Sequence, residues 1–196
     1  MPGTSKAASS GSSSTLRRSS SKASSQSSYN EASKLRELFI EELKDIYWAE
    51  KHLTKALPRM AKAATSQELR TAFENHTVQT QEQIARIEQV FEILQMTARA
   101  KKCEAMAGLV LESQAAIEDT DKGTATRDCA LIISAQKAEH YEIATYGSLV
   151  QLSKTIGHDD IAQILQLTLN EEKETDVLLT ELAVSSVNLN SENETE

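Results

Sequence analysis

Apolar residues recur every three to four positions along most of the chain, which is the period of one face of an α-helix. In the first half this pattern predicts two long helices, over about 33–64 and about 65–98. Thr65 and Glu68 have capping-box spacing at the start of the second helix, and Pro58 is expected to kink the first. Because few residues separate the two helices, they must be antiparallel neighbours.

The second half repeats this organisation, with predicted helices over about 126–156 and about 159–183 on either side of Gly157. Between the two pairs lies a shorter apolar segment, 103–118, which is interrupted by Gly108. We expect this segment to form a long crossover that carries a short extra helix. Two antiparallel hairpins joined in this way are typical of the ferritin-like arrangement. The sequence therefore predicts an all-α fold, an antiparallel four-helix bundle of the ferritin-like kind.

The two ends of the chain lack this pattern. In residues 1–32, Leu16 and Tyr29 are the only large apolar side chains after Met1, and serine dominates. Such a segment buries too little surface to offset its ordering entropy, so we expect a disordered tail. The predicted organisation is a tail over 1–32, one bundle domain over 33–185, and a disordered polar C-terminus over 186–196.

Charge is distributed unevenly along the chain. The net charge is −8, yet the first 30 residues carry four basic side chains and no acidic one, so the remainder is more acidic still. An acidic body repels phosphate backbones, which argues against nucleic acid as a partner and favours cations. The two cysteines, Cys103 and Cys129, have no metal-ligand spacing. No apolar run is long enough to span a bilayer, and no signal-peptide pattern occurs, so we expect a cytoplasmic protein without a membrane partner.

Several acidic residues interrupt the apolar stripes of the predicted helices. Glu139 and Glu142 lie three positions apart on the inward face of the third long helix, Glu172 lies on the inward face of the fourth, and Glu50 lies on that of the first. Unpaired carboxylates buried together repel one another, and the burial of each costs several kcal/mol or more. A bound cation is the natural compensation.

Two further residues complete the predicted site. Asp176 follows Glu172 by about one helical turn, and His76 lies on one face of the second helix. Oxygen-rich sites completed by imidazole suit iron or manganese. The sequence thus predicts a site for one or two iron or manganese ions, with these metal ligands: Glu50, His76, Glu139, Glu142, Glu172 and Asp176.

A second interpretation of the same residues needs no metal. Glutamates three apart on a helix are commonly solvated, and a histidine on such a face is commonly a satisfied core residue. Arg86 is the nearest inward cation and could take the place of an ion. Apart from Glu172, we expect the charged run 171–174 to face solvent. The alternative function is a non-catalytic helical interaction module with a degenerate metal site.

Beyond these patterns, the chain resembles the YciE/YciF family over nearly all of residues 34–183. The members of that family are small bacterial ferritin-like proteins that are linked to stress responses and related to rubrerythrin. The resemblance lies in ELKDIYWAEKHLTKALPRMAKAA (42–64), HTVQTQEQIARIEQVFEIL (76–94), CEAMAGLVLE (103–112), RDCALIISAQKAEHYEIATYG (127–147) and LNEEKETDVLLTELA (169–183).

The resemblance implies roles for particular residues. Glu139-His-Tyr-Glu142 is similar to the ligand-bearing Glu-x-x-Glu of the third bundle helix of rubrerythrin, Glu172 matches the Glu of the fourth, and Glu50 stands for that of the first. The second helix departs from this pattern. It has Gln83-Ile-Ala-Arg86 where rubrerythrin has Glu-x-x-His, so an amide and a cation replace two ligands.

For the whole protein, the resemblance implies a homodimer that acts in the stress response. The chemistry it implies for a di-metal site is oxidation of Fe(II) or reduction of peroxide, and the substitutions at Gln83 and Arg86 argue against a conventional site of this kind. Glu42, Asp45, Gln83 and Glu112 are left open as further contributors.

Overall fold

The computed structural model describes residues 33–195, and every regular element in that range is helical. The predicted tail over 1–32 lies outside the described residues. Within residues 33–195 no helix is both long enough and apolar enough to cross a membrane. The helices are α1 (Lys34–Ala63), α2 (Gln67–Ile93), α3 (Glu104–Glu118), α4 (Ala125–Thr155) and α5 (Asp159–Leu182), followed by a π-helical turn (Ala183–Val187) and α6 (Asn188–Glu192).

Four long helices enclose one core. Helix α1 packs against α2 and α4 against α5, each pair antiparallel across a short connection, and the pairs meet through α1–α4 and α2–α5 contacts. The hydroxyl of Tyr47 on α1 donates to Glu88 Oε1 on α2 at 2.6 Å. The amide of Gln136 on α4 donates to Asp176 Oδ1 on α5 at 3.0 Å. The predicted ferritin-like four-helix bundle is confirmed.

Helix α3 is the predicted crossover. At its start, the Lys101 amide donates to the Lys44 carbonyl in α1 at 3.0 Å, and near its end the Ile117 carbonyl accepts from the guanidinium of Arg127 in α4 at 2.9 Å. The helix lies on α1 and α4 and returns the chain along the bundle. As a result, α4 begins beside the α1–α2 connection.

The start of α2 differs by one residue from the capping-box prediction. Ser66, and not Thr65, is the N-cap, and its Oγ accepts from the Leu69 amide at 3.1 Å. The Thr65 hydroxyl instead donates to the Thr124 carbonyl at 3.0 Å, which ties it to the α3–α4 connection. A long-range contact therefore displaces the cap that the local spacing predicts. Helix α1 continues through the exposed Pro58 to Ala63.

The C-terminal segment also differs from the prediction, because residues 186–192 are helical. Val187 is buried, and the carboxylate of Glu194 accepts from the Ala125 amide at 2.5 Å and the Thr126 amide at 3.0 Å. Glu194 thus caps the first turn of α4, where backbone amides lack helical partners. The segment is polar in composition, yet one of its apolar side chains is buried and one of its carboxylates caps a helix.

Asp128 provides a test of how the two hairpins are joined. Its buried carboxylate accepts from the backbone amides of Thr65 and Ser66, both at 2.7 Å. We expect Asp128→Ala to lower the free energy of unfolding by about 2–3 kcal/mol, because two buried donors lose a charged acceptor. Urea unfolding at fixed protein concentration measures this loss. Replacement of the exposed Asp121 by alanine should change the free energy of unfolding by less than about 0.5 kcal/mol. Equal losses in Asp128→Ala and Asp121→Ala would show that the Asp128 hydrogen bonds do not stabilise the junction of the hairpins.

Candidate metal centre

Four buried side chains from three helices converge at mid-height in the bundle. They are His76 of α2, Glu139 and Glu142 of α4, and Glu172 of α5, and we call them the buried cluster. One potential ligand atom from each lies within 4.8 Å of all the others. His76 Nε2 is 3.3 Å from Glu139 Oε1 and 3.8 Å from Glu172 Oε2. No member is more than 3% exposed.

The helical repeat explains how α4 contributes two ligands. Residues three positions apart share a helix face, so Glu139 and Glu142 both point to the interior from the stripe that also buries Ala135 and Tyr146. On α5 the stripe that buries Leu165 and Leu179 places Glu172 in the same interior. The apolar periodicity that builds the bundle thereby carries the acids inward.

Glu50 faces the same interior from α1, the bundle helix that contributes no residue to the buried cluster. It is fully buried, and its Oε1 accepts a hydrogen bond from the Tyr146 hydroxyl. It lies outside the four-residue cluster, yet it is close enough that Glu172 and Glu142 interact with it electrostatically. A fifth carboxylate is therefore available beside the cluster.

Asp176, the remaining predicted ligand, is not part of the cluster. Its half-buried carboxylate lies at the α4–α5 edge, 3.0 Å from Gln136 Nε2 and 3.4 Å from Nε2 of the exposed His140. The structure thus brings together four of the six predicted ligands, places Glu50 next to them, and places Asp176 at the rim.

Most polar atoms of the buried cluster, and one oxygen of Glu50, lack hydrogen-bond partners among residues 33–195. Both oxygens of Glu142 are unpartnered, as are Oε2 of Glu50, Glu139 and Glu172, and Nδ1 of His76. A buried polar group without a partner costs about 1–3 kcal/mol, and more when it is charged. Such groups are rare singly, and their concentration at one point indicates a binding site.

Burial and mutual repulsion act in the same direction on these acids. Burial raises the pKa of Glu50, Glu139 and Glu142 well above the ordinary value of a glutamate. The charge of Glu172 raises the pKa of all three further, and that of Glu50 contributes strongly for Glu142. Without a cation, these carboxyl groups therefore hold protons more tightly than solvated glutamates do.

Arg86 offsets only a small part of this repulsion, because its charge lowers the pKa of Glu50 less than burial and the charge of Glu172 raise it. The guanidinium of Arg86 donates to both oxygens of Glu171, at 2.5 and 2.7 Å, and to Thr168 Oγ1 at 3.2 Å. Its charge is thus paired with Glu171 at the α2–α5 boundary. The prediction that Glu171 faces solvent is wrong, because Arg86 draws its half-buried carboxylate into this ion pair.

Gln83 and Tyr146 contact the buried acids, and the sequence did not predict that role for either residue. The amide of Gln83 donates to Glu172 Oε1 and, at 3.2 Å, to Glu171 Oε2. Tyr146 lies four positions after Glu142, so the helical repeat signals its place on the same face. Groups of this kind fix ligand side chains around metals in proteins. Gln83 and Tyr146 are therefore best understood as positioning residues for Glu172 and Glu50.

The donor set fits a metal ion. Ligand atoms about 2.0–2.4 Å from one ion lie up to about 4–5 Å from one another, which agrees with the 4.8 Å limit in the cluster. Three carboxylates and one imidazole, without thiolate, suit iron or manganese.

The raised pKa values make a prediction for the metal-free protein. Between the ordinary glutamate pKa and the raised one, the unfolded chain has lost a proton that the folded chain retains, so stability falls as pH rises. We expect Glu142→Gln, which cannot ionise, to be more stable than the wild type at pH 8, by an amount that shrinks towards pH 5. Urea unfolding in the presence of a chelator measures the difference. The exposed Glu174→Gln should show no such trend. A free energy of unfolding that rises with pH in the wild type relative to Glu142→Gln would show that the buried carboxyl group is not destabilised by ionisation.

Comparison with known proteins agrees with this architecture. Residues 34–192 match the family described as Domain of unknown function (DUF892). Protein YciF of Escherichia coli (strain K12) is 46% identical over 160 residues, which cover 81% of this chain and 96% of YciF.

Solved structures resemble the chain over most of its length. The crystal structure of the E. coli stress protein YciF has a TM-score of 0.75 at 46% identity and covers 79% of this chain and 97% of its own. YcfI from Rhodopseudomonas palustris has a TM-score of 0.72 at 40% identity, covering 76% and 94%. A protein from Xanthomonas campestris has a TM-score of 0.62 at 25% identity, covering 82% and 97%. The chain therefore belongs to the YciE/YciF family, the DUF892 family of ferritin-like proteins.

Proposed function

We propose that this protein binds one or two iron or manganese ions and acts in the response to oxidative stress. The observation that carries the proposal is the buried cluster, in which one imidazole and three carboxylates meet with most of their polar atoms unpartnered among residues 33–195. Isolated buried charges are strongly unfavourable, whereas a divalent cation would pair with all of them at once. E. coli YciF, which is described as a stress protein, has the same fold.

Each residue has a distinct part in the proposal. His76, Glu139, Glu142 and Glu172 would hold the first ion, and Glu50, through its unpartnered Oε2, would supply an oxygen to a second ion on the α1 side. Gln83 and Tyr146 would hold Glu172 and Glu50 in place. Since Gln83 and Arg86 stand where a conventional site has ligands, the imidazole of His76 is the only nitrogen ligand among the described cluster residues.

With two Fe(II) ions bound, the proposed chemistry is removal of peroxide. Two Fe(II) ions held by these ligands would each supply one electron, so that one hydrogen peroxide molecule, with two protons from solvent, would give two water molecules and leave two Fe(III) ions. The part of the protein is to hold the ions in a dry interior, where the reaction does not release radicals into solution. With a single ion, the site would be structural.

The second candidate function is a helical interaction module without redox metal. Gln83 and Arg86 in place of two ligands favour it, and YcfI of R. palustris is described only as a candidate structural protein. Against it, Arg86 is paired with Glu171 and leaves the acids of the cluster uncompensated.

We expect the protein to be cytoplasmic and, as the family resemblance implies, a homodimer. Light scattering coupled to gel filtration, on the metal-loaded full chain, measures the number of subunits.

Metal content separates the two functions. We expect the full chain, expressed in medium supplemented with iron or manganese and purified without chelator, to retain one or two ions per chain by elemental analysis. Glu142→Gln removes a ligand oxygen and its charge, so its affinity should fall by at least about tenfold. The matched control is Glu174→Gln, an exposed residue on α5, which should bind metal as the wild type does. Wild-type protein that is free of metal, or that holds no more than Glu142→Gln, would favour the interaction module.

A further inference from the structure

A small cavity lies between α1, α3 and α4, directly beside the buried cluster. Its volume is about 10 Å³, which is room for roughly one water-sized molecule. Apolar side chains from all three helices line it, among them Leu53 of α1, Met106 and Val110 of α3, and Ala135 of α4. At one side the lining includes Glu139, a member of the buried cluster.

The polar groups in the lining are otherwise internally satisfied. The Ser113 hydroxyl donates to the Val110 carbonyl at 2.8 Å, and the Ser134 hydroxyl donates to the Ala130 carbonyl at 2.9 Å. Glu139 is different, because it is 2% exposed and its Oε2 has no partner among residues 33–195. The cavity therefore has a largely apolar lining and, at one side, Glu139, a residue that carries an unpartnered potential ligand oxygen.

Helix α3 forms the outer wall of this cavity. Of its residues only Met106 and Ser113 are buried, and the opposite face, which carries Leu111, is exposed. A single helix, packed on α1 and α4, therefore separates the cavity from solvent. An ion would lose several kcal/mol or more of hydration on entering such an apolar space. Dioxygen would lose little, and hydrogen peroxide would lose only the smaller hydration of an uncharged polar molecule.

We propose that this cavity beneath α3 is the route by which a small uncharged oxidant, dioxygen or hydrogen peroxide, reaches the metal ligand Glu139. The inference rests on the proposed function and adds to it the side of the bundle from which the oxidant arrives. The crossover helix then has a role beyond connecting the two hairpins, since it covers the route and keeps ions and bulk water out.

The size of residue 135 provides the test. Ala135→Val narrows the cavity from α4, and Val110→Ala widens it from α3 without touching a helix that carries a ligand. Ala144→Val is the matched control, an exposed alanine on the same helix as Ala135. Each full-length protein is loaded with Fe(II) without oxygen, its iron content is measured, and Fe(III) formation is followed by stopped-flow absorbance after mixing with dioxygen, hydrogen peroxide or ferricyanide.

We expect all variants to bind iron as the wild type does. Ala135→Val should slow oxidation by the neutral oxidant at least about fivefold, while Val110→Ala should match or exceed the wild-type rate. Ferricyanide, a bulky anion that cannot use the cavity, should oxidise all variants equally. Slowing confined to dioxygen or to peroxide identifies which of the two molecules uses the route.

A readout independent of the reaction comes from xenon, which occupies dry apolar cavities. Crystals of Val110→Ala under xenon pressure should show xenon beside Glu139, and crystals of Ala135→Val should show none. If Ala135→Val holds iron and reacts with both neutral oxidants at the wild-type rate, the route is wrong and the metal site stands. Absence of iron from the wild type would instead overturn the proposed function, and the route with it.

Discussion

Four buried carboxylates repel one another in the middle of the bundle, and this repulsion determines what the folded chain must bind. Glu50, Glu139, Glu142 and Glu172 meet in a dry interior, and each is at most 2% exposed. At a given separation, the repulsion between two charges is stronger when water is excluded, because the local dielectric constant is lower. The arrangement is tolerable only when protons or a cation neutralise it, so the folded chain must bind one or the other.

Ordinary helix packing is what buries these acids together. Each acid occupies a position on an apolar stripe whose other residues are buried, so the packing of the helix places the acid in the interior. Helix α3 brings α4 back beside the α1–α2 connection, where Asp128 fixes the two hairpins relative to each other. Positions that are far apart in sequence thereby meet at one height. Favourable packing at the two ends of the bundle offsets the unfavourable burial of acids in its middle.

Periodicity and helix length made the bundle predictable, and the stripe-breaking acids made most of the cluster predictable. The contacts that depend on the exact rotation of one helix against another were not. Arg86 meets Glu171 across α2 and α5, and Tyr146 meets Glu50 across α1 and α4, pairings that no spacing within one helix reveals. The same limit explains Asp176, which is one turn from Glu172 but rotated far enough to reach the rim.

The most direct test of this account is an anomalous difference map from crystals of the full chain grown with manganese or iron, with data recorded on either side of the metal absorption edge. A metal ion bound by the cluster should give a peak between the imidazole of His76 and the carboxylates of Glu139, Glu142 and Glu172, and this peak should disappear in Glu142→Gln. A well-ordered crystal with no anomalous peak at that point, or with peaks only at exposed carboxylates, would contradict it.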